Sequence, residues 1–336
     1  MTGNAQINSG KTSTEDAGEA SVARDLSLLL KPTLGASILF TIVPGLLLGP
    51  RLPDAGLIFF TMLGTYLVAL SSFAYNQLLE IPTDGIMERT RNRPLPAGRF
   101  QPFTVHLIGS SLLGVGMFLL VMYVNVLAAA AALASFLWYV FVYTAWLKPR
   151  SPLNTVIGGA AGSIGPLIGE AAVSGQITVE GWMMFLILFL WQPPHFWCLG
   201  IKYRDQYAKA GLPILPVARG VGVTLNQMIF YQVLLLLSIF SMYFPLGMAG
   251  EVFLVPAFGF GCMVLYFMLR LGAEYGAATA STGASGTNAA DDAQFGTAKP
   301  TAPGGLSPLK IFFLTILHML IWHIALGADI YLRRWL

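Results

Sequence analysis

The sequence predicts an all-α, polytopic membrane protein built as a bundle of nine transmembrane helices. Of its 336 residues, 55% are hydrophobic and only 10% are charged, whereas a soluble domain carries about 25% charged residues. Apolar stretches of about 20 residues, the length that a helix needs to cross a bilayer, recur along the chain. One such stretch could be a buried helix of a soluble core, but so many together exclude a soluble protein.

The nine spans follow these apolar stretches in order. The fifth is the weakest because it is rich in glycine and contains Pro166. Small residues let helices pack closely in lipid, so we interpret it as a span inside the bundle. The predicted spans are residues 33–50, 56–76, 103–124, 126–147, 156–173, 182–201, 225–246, 252–271 and 306–326.

The basic residues support this count and give an orientation. With the amino terminus in the cytoplasm, all but three of the 19 Lys and Arg residues fall in cytoplasmic segments, as the positive-inside rule requires. Residues 1–24 lack the apolar core of a signal peptide and carry Glu15 and Asp16, acids that a mitochondrial transit peptide avoids. We therefore expect a bacterial cytoplasmic (inner) membrane.

Two polar segments interrupt the apolar pattern. Residues 1–27 are small, polar and aperiodic, which predicts a disordered cytoplasmic tail ahead of one transmembrane domain, residues 28–336. Within that domain, residues 272–305 are rich in Gly, Ala, Ser and Thr, which predicts a flexible cytoplasmic linker. The net charge of +3 is too small to indicate a nucleic-acid partner. Cys198 and Cys262 lie in apolar stretches, which argues against a disulfide or a thiolate metal site.

A polar cluster at the end of the second span is the strongest functional signal. Asn76, Glu80 and Asp84 recur every four residues and so lie near one helical face, although Pro82 is expected to end or kink the helix before Asp84. Ionisable groups at the edge of a span are costly and indicate a functional site. Magnesium is typically held by one or two carboxylates plus substrate phosphates. The arginines that follow, Arg89, Arg91 and Arg93, have guanidinium groups suited to phosphate oxygens. Alternatively, these arginines are ordinary juxtamembrane charges.

A second polar cluster follows the sixth span on the same side. Residues 191–196 read WQPPHF and residues 202–207 read KYRDQY. Two clusters of acids and bases that face each other across a helix bundle could hold a diphosphate between them. Asp205 would be a further magnesium ligand, and Lys202 and Arg204 would stabilise the departing negative charge. Lys148, after the fourth span, is either a topology charge or a further diphosphate contact.

These motifs together resemble the UbiA superfamily of intramembrane prenyltransferases. The first signature is carried by Asn76, Glu80 and Asp84 with the RTRNRPL stretch at residues 89–95. The WQPPHF stretch and GLPILP at residues 211–216 are similar to the branch of that superfamily that acts on heme b. The resemblance covers about residues 28–271 and the final span.

The resemblance implies a reaction that the residues alone would not have given. Farnesyl diphosphate would lose diphosphate with the help of Mg²⁺, and the allylic cation would be attacked by a vinyl group of heme b. Water would then add to leave a hydroxyethylfarnesyl group, giving heme O. The partners implied are farnesyl diphosphate, heme b and the lipid bilayer, with heme A synthase or terminal-oxidase assembly factors downstream.

The implied roles can be assigned to individual residues. Catalysis falls to Asn76, Glu80, Asp84, Asp205 and Lys202. Metal binding falls to Asn76, Glu80, Asp84 and Asp205. Diphosphate binding falls to Arg89, Arg91, Arg93, Lys148 and Arg204. Heme contact falls to His195, because neutral imidazole is a common ligand of heme iron.

The sequence departs from the family pattern at two positions. Glu80 stands where Asp is more usual, which keeps the charge. Gln206 stands where an acid usually precedes Tyr207, and we expect Asp205, one residue earlier, to serve instead. His318 and His323 are five residues apart and do not share a helical face, so a paired ligand site is not expected there, whereas axial ligation by His318 alone stays open.

Three other functions compete with this interpretation. A UbiA-type prenyltransferase with another aromatic or chlorin acceptor keeps the fold, but the Pro-Pro-His motif disfavours it. A membrane transporter would be expected to show inverted repeats and polar groups near the membrane midplane, whereas the acids here lie at one edge. A non-catalytic assembly subunit would not need the two clusters.

Overall fold

Nine helices long and apolar enough to cross a membrane make up most of the described chain, which confirms the predicted fold class. The structure is a computed structural model that describes residues 22–49, 51–281 and 306–335, and no strand occurs among them. We number the helices α1 to α9. Their bounds are Val22–Leu46, Ala55–Leu79, Pro102–Tyr123, Val126–Leu147, Asn154–Ser174, Val179–Lys202, Gly220–Tyr243, Glu251–Ser281 and Pro308–Trp335.

Two predicted boundaries are wrong. The sequence predicts that residues 22–27 belong to a disordered tail, but they are helical and begin α1. The cause is packing at this end of α1, where Leu29 is fully buried against Ala74, Leu95 and Val105. Helix α8 continues to Ser281, beyond the predicted end at residue 271, through an alanine-rich stretch that favours helix. The rest of the predicted tail and linker, residues 1–21 and 282–305, lies outside the described residues.

Two of the spans are interrupted. Helix α1 breaks at Lys31, whose φ of 49° places it in the left-handed region just before Pro32. No other non-glycine residue with a positive φ occurs among the residues that the structure describes. Helix α5 consists of two halves, Asn154–Gly162 and Gly165–Ser174, with Pro166 at the start of the second half.

Glycines let α1 and the second half of α5 meet backbone to backbone. A Cβ atom on Gly45 would lie 2.1 Å from the carbonyl oxygen of Pro166, and one on Gly169 would lie 2.4 Å from that of Ile42. Only glycine fits at such separations. The glycine-rich fifth span is therefore a helix of the bundle interior, as the sequence predicted.

The helices form one closed bundle. Consecutive helices pack side by side, and α9 also packs against α6 and α1, which joins the two ends of the chain. One apolar cluster is built from α1 to α5 and another largely from α6 to α9. Large apolar side chains such as Phe103 and Val255 remain exposed on the outside, as expected for a surface in contact with lipid.

The ends of α2, α4 and α6 lie at the same face of the bundle, because Lys148 after α4 bonds Glu80 after α2, and Gln206 after α6 bonds Arg89. Short helices follow two of them, Ile81–Ile86 after α2 and Arg204–Lys209 after α6. This face therefore carries both polar clusters found in the sequence.

Candidate active site

The first cluster lies where α2 ends. The helix stops at Leu79, Glu80 caps it, and a new short helix begins with Pro82 in its first turn. The backbone N–H groups of Glu80 and Asp84 still donate to the carbonyl oxygens four residues earlier, at 3.0 and 2.8 Å. The four-residue helical spacing of Asn76, Glu80 and Asp84 is therefore kept across the end of α2. Asn76, Glu80 and Asp84 are all buried, and buried charges require partners.

Each buried acid has one basic partner. The Lys148 ammonium donates a hydrogen bond to Oε1 of Glu80. Nη1 of Arg93 donates to Oδ2 of Asp84 at 2.5 Å. Basic groups predicted to bind a diphosphate thus lie directly on the carboxylates predicted to bind the metal.

The end of α4 is shaped to meet the end of α2. Residues Trp138–Leu147 form a π-helix, in which Oγ1 of Thr144 donates to the carbonyl of Tyr139, five residues earlier. Nδ2 of Asn76 donates to that Oγ1 at 3.2 Å. Single stretches of π-helix are rare and often accompany functional sites. The two helices thus meet at two levels four residues apart, Asn76 on Thr144 and Glu80 on Lys148.

The charges of Glu80 and Lys148 keep each other ionised. Burial alone would raise the pKa of Glu80, but the adjacent Lys148 ammonium outweighs it and holds that pKa below its ordinary value. Burial likewise opposes the charged form of Lys148, yet the Glu80 carboxylate raises the pKa of Lys148 above its ordinary value. Both groups therefore stay charged around neutral pH.

Lys31 is a member of the site that sequence reasoning missed. By the charge pattern it is only one of the basic residues in cytoplasmic segments, but it interacts electrostatically with Glu80, Asp84, Arg93 and Lys148. The Lys31 ammonium lies 5.5 Å from the ring centroid of Phe73. Among the described residues, this ammonium forms no hydrogen bond or ion pair. The left-handed backbone at Lys31 marks it as unusual, because strained backbone is stored preferentially at functional sites, but the sequence alone does not reveal that strain.

The second cluster lies against the arginine-rich loop, as predicted. Oε1 of Gln206 accepts a hydrogen bond from the backbone N–H of Arg89 at 3.2 Å, and Nη2 of Arg89 lies 3.4 Å from the hydroxyl of Tyr207. The Arg89 guanidinium and the Lys202 ammonium lie 5.1 and 5.3 Å from the ring centroid of Tyr203. Gln206, which departs from the family pattern, is therefore one of the residues that join the two loops, together with Tyr203 and Tyr207.

Three predicted site residues are placed differently. Nε of Arg204 donates to the carbonyl of Pro216 at 2.8 Å, a contact that holds the loop after α6. Asp205 and Arg91 are exposed, and neither side chain makes a hydrogen bond or ion pair with the described residues. Within the same residues, no three His, Cys, Asp or Glu side chains lie close enough together to hold a metal ion. The expectation that Asp205 completes a metal site thus gains no structural support.

His195 lies in the interior of α6 and is held on three sides. Its ring stacks between Trp191 and Phe312, with centroids 4.4 and 4.3 Å away. Its Nδ1 lies 2.9 Å from Oγ1 of Thr315 on α9. The imidazole is therefore fixed in one orientation. His318 and His323 are also buried, but each bonds a main-chain carbonyl, of Ala257 and Met319 respectively.

The sequence matches the UbiA prenyltransferase family over residues 38–282. This match covers well over half of the chain, which therefore belongs to that family. The protoheme IX farnesyltransferase of Leptospira biflexa serovar Patoc is 42% identical over 244 residues, covering 72% of this chain and 86% of the relative.

Solved structures share the fold at much lower identity. A structure concerned with digeranylgeranylglyceryl phosphate synthase in membranes superposes with a TM-score of 0.66 at 17% identity, covering 92% of this chain and 98% of the other. A UbiA homolog from Archaeoglobus fulgidus, bound to DMAPP and Mg²⁺, gives a TM-score of 0.59 at 15% identity, covering 90% and 99%. These likenesses show a common architecture.

Proposed function

We propose that this protein transfers the farnesyl group of farnesyl diphosphate to a vinyl group of heme b and so forms heme O. The observation that carries the proposal is the buried cluster of Glu80 with Lys148 and Asp84 with Arg93 at one end of the bundle. The relative from Leptospira biflexa, which covers most of this chain, supports the choice of substrates by its name.

The charge of the cluster suits a leaving diphosphate. In the reaction, the bond between the allylic carbon and the diphosphate oxygen breaks, and the bond electrons leave with the diphosphate. The vinyl group supplies the electrons of the new carbon–carbon bond, and water then adds with loss of a proton. Basic side chains around Glu80 and Asp84 outnumber the acids, since Lys31, Arg93 and Lys148 surround them. Such groups stabilise negative charge as it develops.

The first cluster also fits a divalent cation. Asn76, Glu80 and Asp84 supply hard oxygen atoms, and two carboxylates suffice for Mg²⁺ when phosphates provide the remaining ligands. Bound there, Mg²⁺ would neutralise charge on the departing diphosphate. Lys148 and Arg93, which pair with the acids in this structure, would then turn to diphosphate oxygens. No buried charge would lose its compensation in that exchange.

The residues between the two loops would bind the rest of the diphosphate. Arg89 and Lys202 both border Tyr203, and Gln206 holds the Arg89 backbone. We propose that Arg89 and Lys202 contact the leaving group, whereas Arg204 positions the loop through Pro216. Roles for Asp205 and Arg91 remain predictions, because both side chains are exposed.

His195 is our proposed contact to heme b. It is the one histidine of the WQPPHF motif, and its ring is clamped between aromatic side chains with Nδ1 on Thr315. An imidazole held in this way suits ligation of the heme iron.

The protein crosses the membrane many times. We propose that the face with both polar clusters is cytoplasmic in a bacterial inner membrane, because the basic residues concentrate there. Heme A synthase or a terminal-oxidase assembly factor as the recipient of the product is a further prediction.

Expression in a bacterial host that lacks heme O tests the proposal. Hemes extracted from cells that carry the wild-type protein are expected to contain heme O by mass spectrometry. Cells that carry Asp84→Asn, with equal amounts of protein in the membrane, are expected to contain heme b alone. Absence of heme O from cells with correctly inserted wild-type protein would overturn the proposed function.

A further inference from the structure

Three hydrogen bonds converge on Thr315, a buried residue of α9 that no motif singled out. Its hydroxyl donates to the carbonyl of Phe312 at 2.7 Å, the usual bond of a helical threonine to the turn before it. Its Oγ1 also lies 2.9 Å from Nδ1 of His195. Its main-chain carbonyl accepts from Nε1 of Trp191 at 2.7 Å. Thr315 thus joins α9 to Trp191 and His195, two residues of the WQPPHF motif of α6.

The hydroxyl proton of Thr315 determines where the hydrogen of His195 lies. A carbonyl oxygen can only accept, so the single hydroxyl proton is used by Phe312. At the contact with His195, Oγ1 therefore accepts and Nδ1 carries the hydrogen. The main-chain carbonyl of Phe312, which can only accept, also interacts with the His195 ring. In a neutral imidazole with hydrogen on Nδ1, the lone pair lies on Nε2.

The ring cannot easily exchange its two nitrogens. Trp191 stacks on one face at an interplanar angle of 20° and Phe312 stacks on the other at 22°. A half-turn of the imidazole would break the bond to Thr315 and disturb both stacks. Nε2 of His195 has no hydrogen-bond partner among the described residues and is not fully enclosed, whereas the free nitrogens of His318 and His323 are.

We propose that Thr315 is a positioning residue that fixes His195 as the Nδ1–H tautomer and so presents Nε2 to the iron of the heme substrate. The inference rests on the proposed function, because it assumes that a heme binds. Histidines that ligate a metal almost always donate their other ring N–H to an acceptor, which fixes the tautomer and raises the basicity of the ligand. Loss of that acceptor typically weakens metal binding by about 10- to 100-fold.

Heme titration of four variants tests this role. Purified protein in detergent would be titrated with ferric heme b, and the dissociation constant read from the heme absorption band. Thr315→Val keeps the shape of the side chain and the bond from Trp191 but removes the hydroxyl acceptor, which leaves only the Phe312 carbonyl beside His195. We expect its dissociation constant to rise by about 10-fold. Thr315→Ser restores the hydroxyl and is expected to bind as the wild type does. Thr315→Cys keeps a weaker acceptor and is expected to fall between them.

The matched control is Thr224→Val on α7. Thr224 is also fully buried and its hydroxyl bonds the carbonyl of Gly220, and among the described residues no histidine shares a hydrogen bond with it. Its dissociation constant for heme is expected to match the wild type. A readout specific to the iron is the iron–histidine stretching frequency of the ferrous heme in resonance Raman spectra. It should fall in Thr315→Val and return in Thr315→Ser.

Two failures can be told apart. If the wild-type protein binds no heme and forms no prenylated heme, the proposed function is wrong. If the wild type binds and prenylates heme while Thr315→Val has the same dissociation constant and the same stretching frequency, the role of Thr315 alone is overturned. If Thr315→Val does not fold, the Thr315→Cys and Thr315→Ser pair decides, since equal values for both would also overturn it.

Discussion

Replacing Lys148 by methionine should destabilise the protein far more than loss of a surface charge. The side chains of Lys148 and Glu80 are only 16% and 9% exposed, so water screens the pair poorly. Removing one partner leaves the Glu80 carboxylate buried without its hydrogen bond. Such losses cost about 3–5 kcal/mol, and we expect Lys148→Met to lower the free energy of unfolding by about 3 kcal/mol.

The double variant provides the decisive comparison. In Glu80→Gln/Lys148→Met neither member of the pair is left as a lone charge, and replacing a whole buried pair is often close to neutral. We therefore expect the double variant to be more stable than either single variant, with a coupling energy of about 2 kcal/mol or more. Unfolding in mixed detergent and sodium dodecyl sulfate micelles, followed by tryptophan fluorescence, measures each variant.

The exposed pair Arg270 and Glu274 provides a matched control. These side chains are 53% and 39% exposed and stand four residues apart on α8. Arg270→Met is expected to cost about 0.5 kcal/mol or less. If Lys148→Met cost no more than Arg270→Met, or if the effects of Glu80→Gln and Lys148→Met simply added, the buried pair would not hold the site together as described.

Four further outcomes are expected. Asp84→Asn should lower turnover by about 100-fold or more while membrane insertion is unchanged, and product formation in isolated membranes at near-normal rates would contradict the assigned role. Gln206→Ala should raise the KM for farnesyl diphosphate, whereas Gln206→Glu keeps an acceptor for the loop and should not; equal KM values for both would show that this contact is dispensable. Gly169→Ala should destabilise the protein by about 1–3 kcal/mol through overpacking, whereas Gly259→Ala, which meets open space, should be neutral or stabilising by up to about 1 kcal/mol. The contribution of the Glu80 and Lys148 pair to stability should be constant between pH 5 and 10. The pKa of Glu80 is lowered, so the contribution is lost only as the pH falls below 4.5, and the pKa of Lys148 is raised, so the contribution is lost only as the pH rises above 10.5. A decline of the coupling energy near pH 7 would contradict both shifts.

The spans were predictable because hydropathy is a local property of the sequence. Even the glycine-rich α5 was interpretable, since small residues have a specific use in helix packing. The start of α1 was not predictable in the same way. Residues 22–27 look polar and aperiodic, and their helix depends on Leu29 meeting Ala74 and Val105 from other parts of the chain.

The candidate site was predictable only in part. The spacing of Asn76, Glu80 and Asp84 followed from helical geometry alone. The partners did not, because Lys148 and Glu80 are 68 residues apart and meet only when α2 and α4 pack. The π-helical turn that places Thr144 beside Asn76 has no signal in composition or periodicity.

The second cluster shows the same limit. Sequence position alone could not tell that Arg204 bonds Pro216 while Asp205 remains exposed. Short helices after a span can present any of their faces to the site, and tertiary contacts decide which. Gln206 departs from the family motif, yet its amide oxygen accepts a hydrogen bond from the backbone N–H of Arg89 and so helps to join the two loops.

Heme product analysis with purified protein tests the central claim most directly. The protein would be incubated in lipid nanodiscs with farnesyl diphosphate, heme b and Mg²⁺ in water enriched in oxygen-18, and the hemes analysed by mass spectrometry. We predict a heme that has gained one farnesyl group and one hydroxyl whose oxygen is oxygen-18, and we predict that Asp84→Asn forms none. Unchanged heme b from folded wild-type protein supplied with all three components would contradict the account.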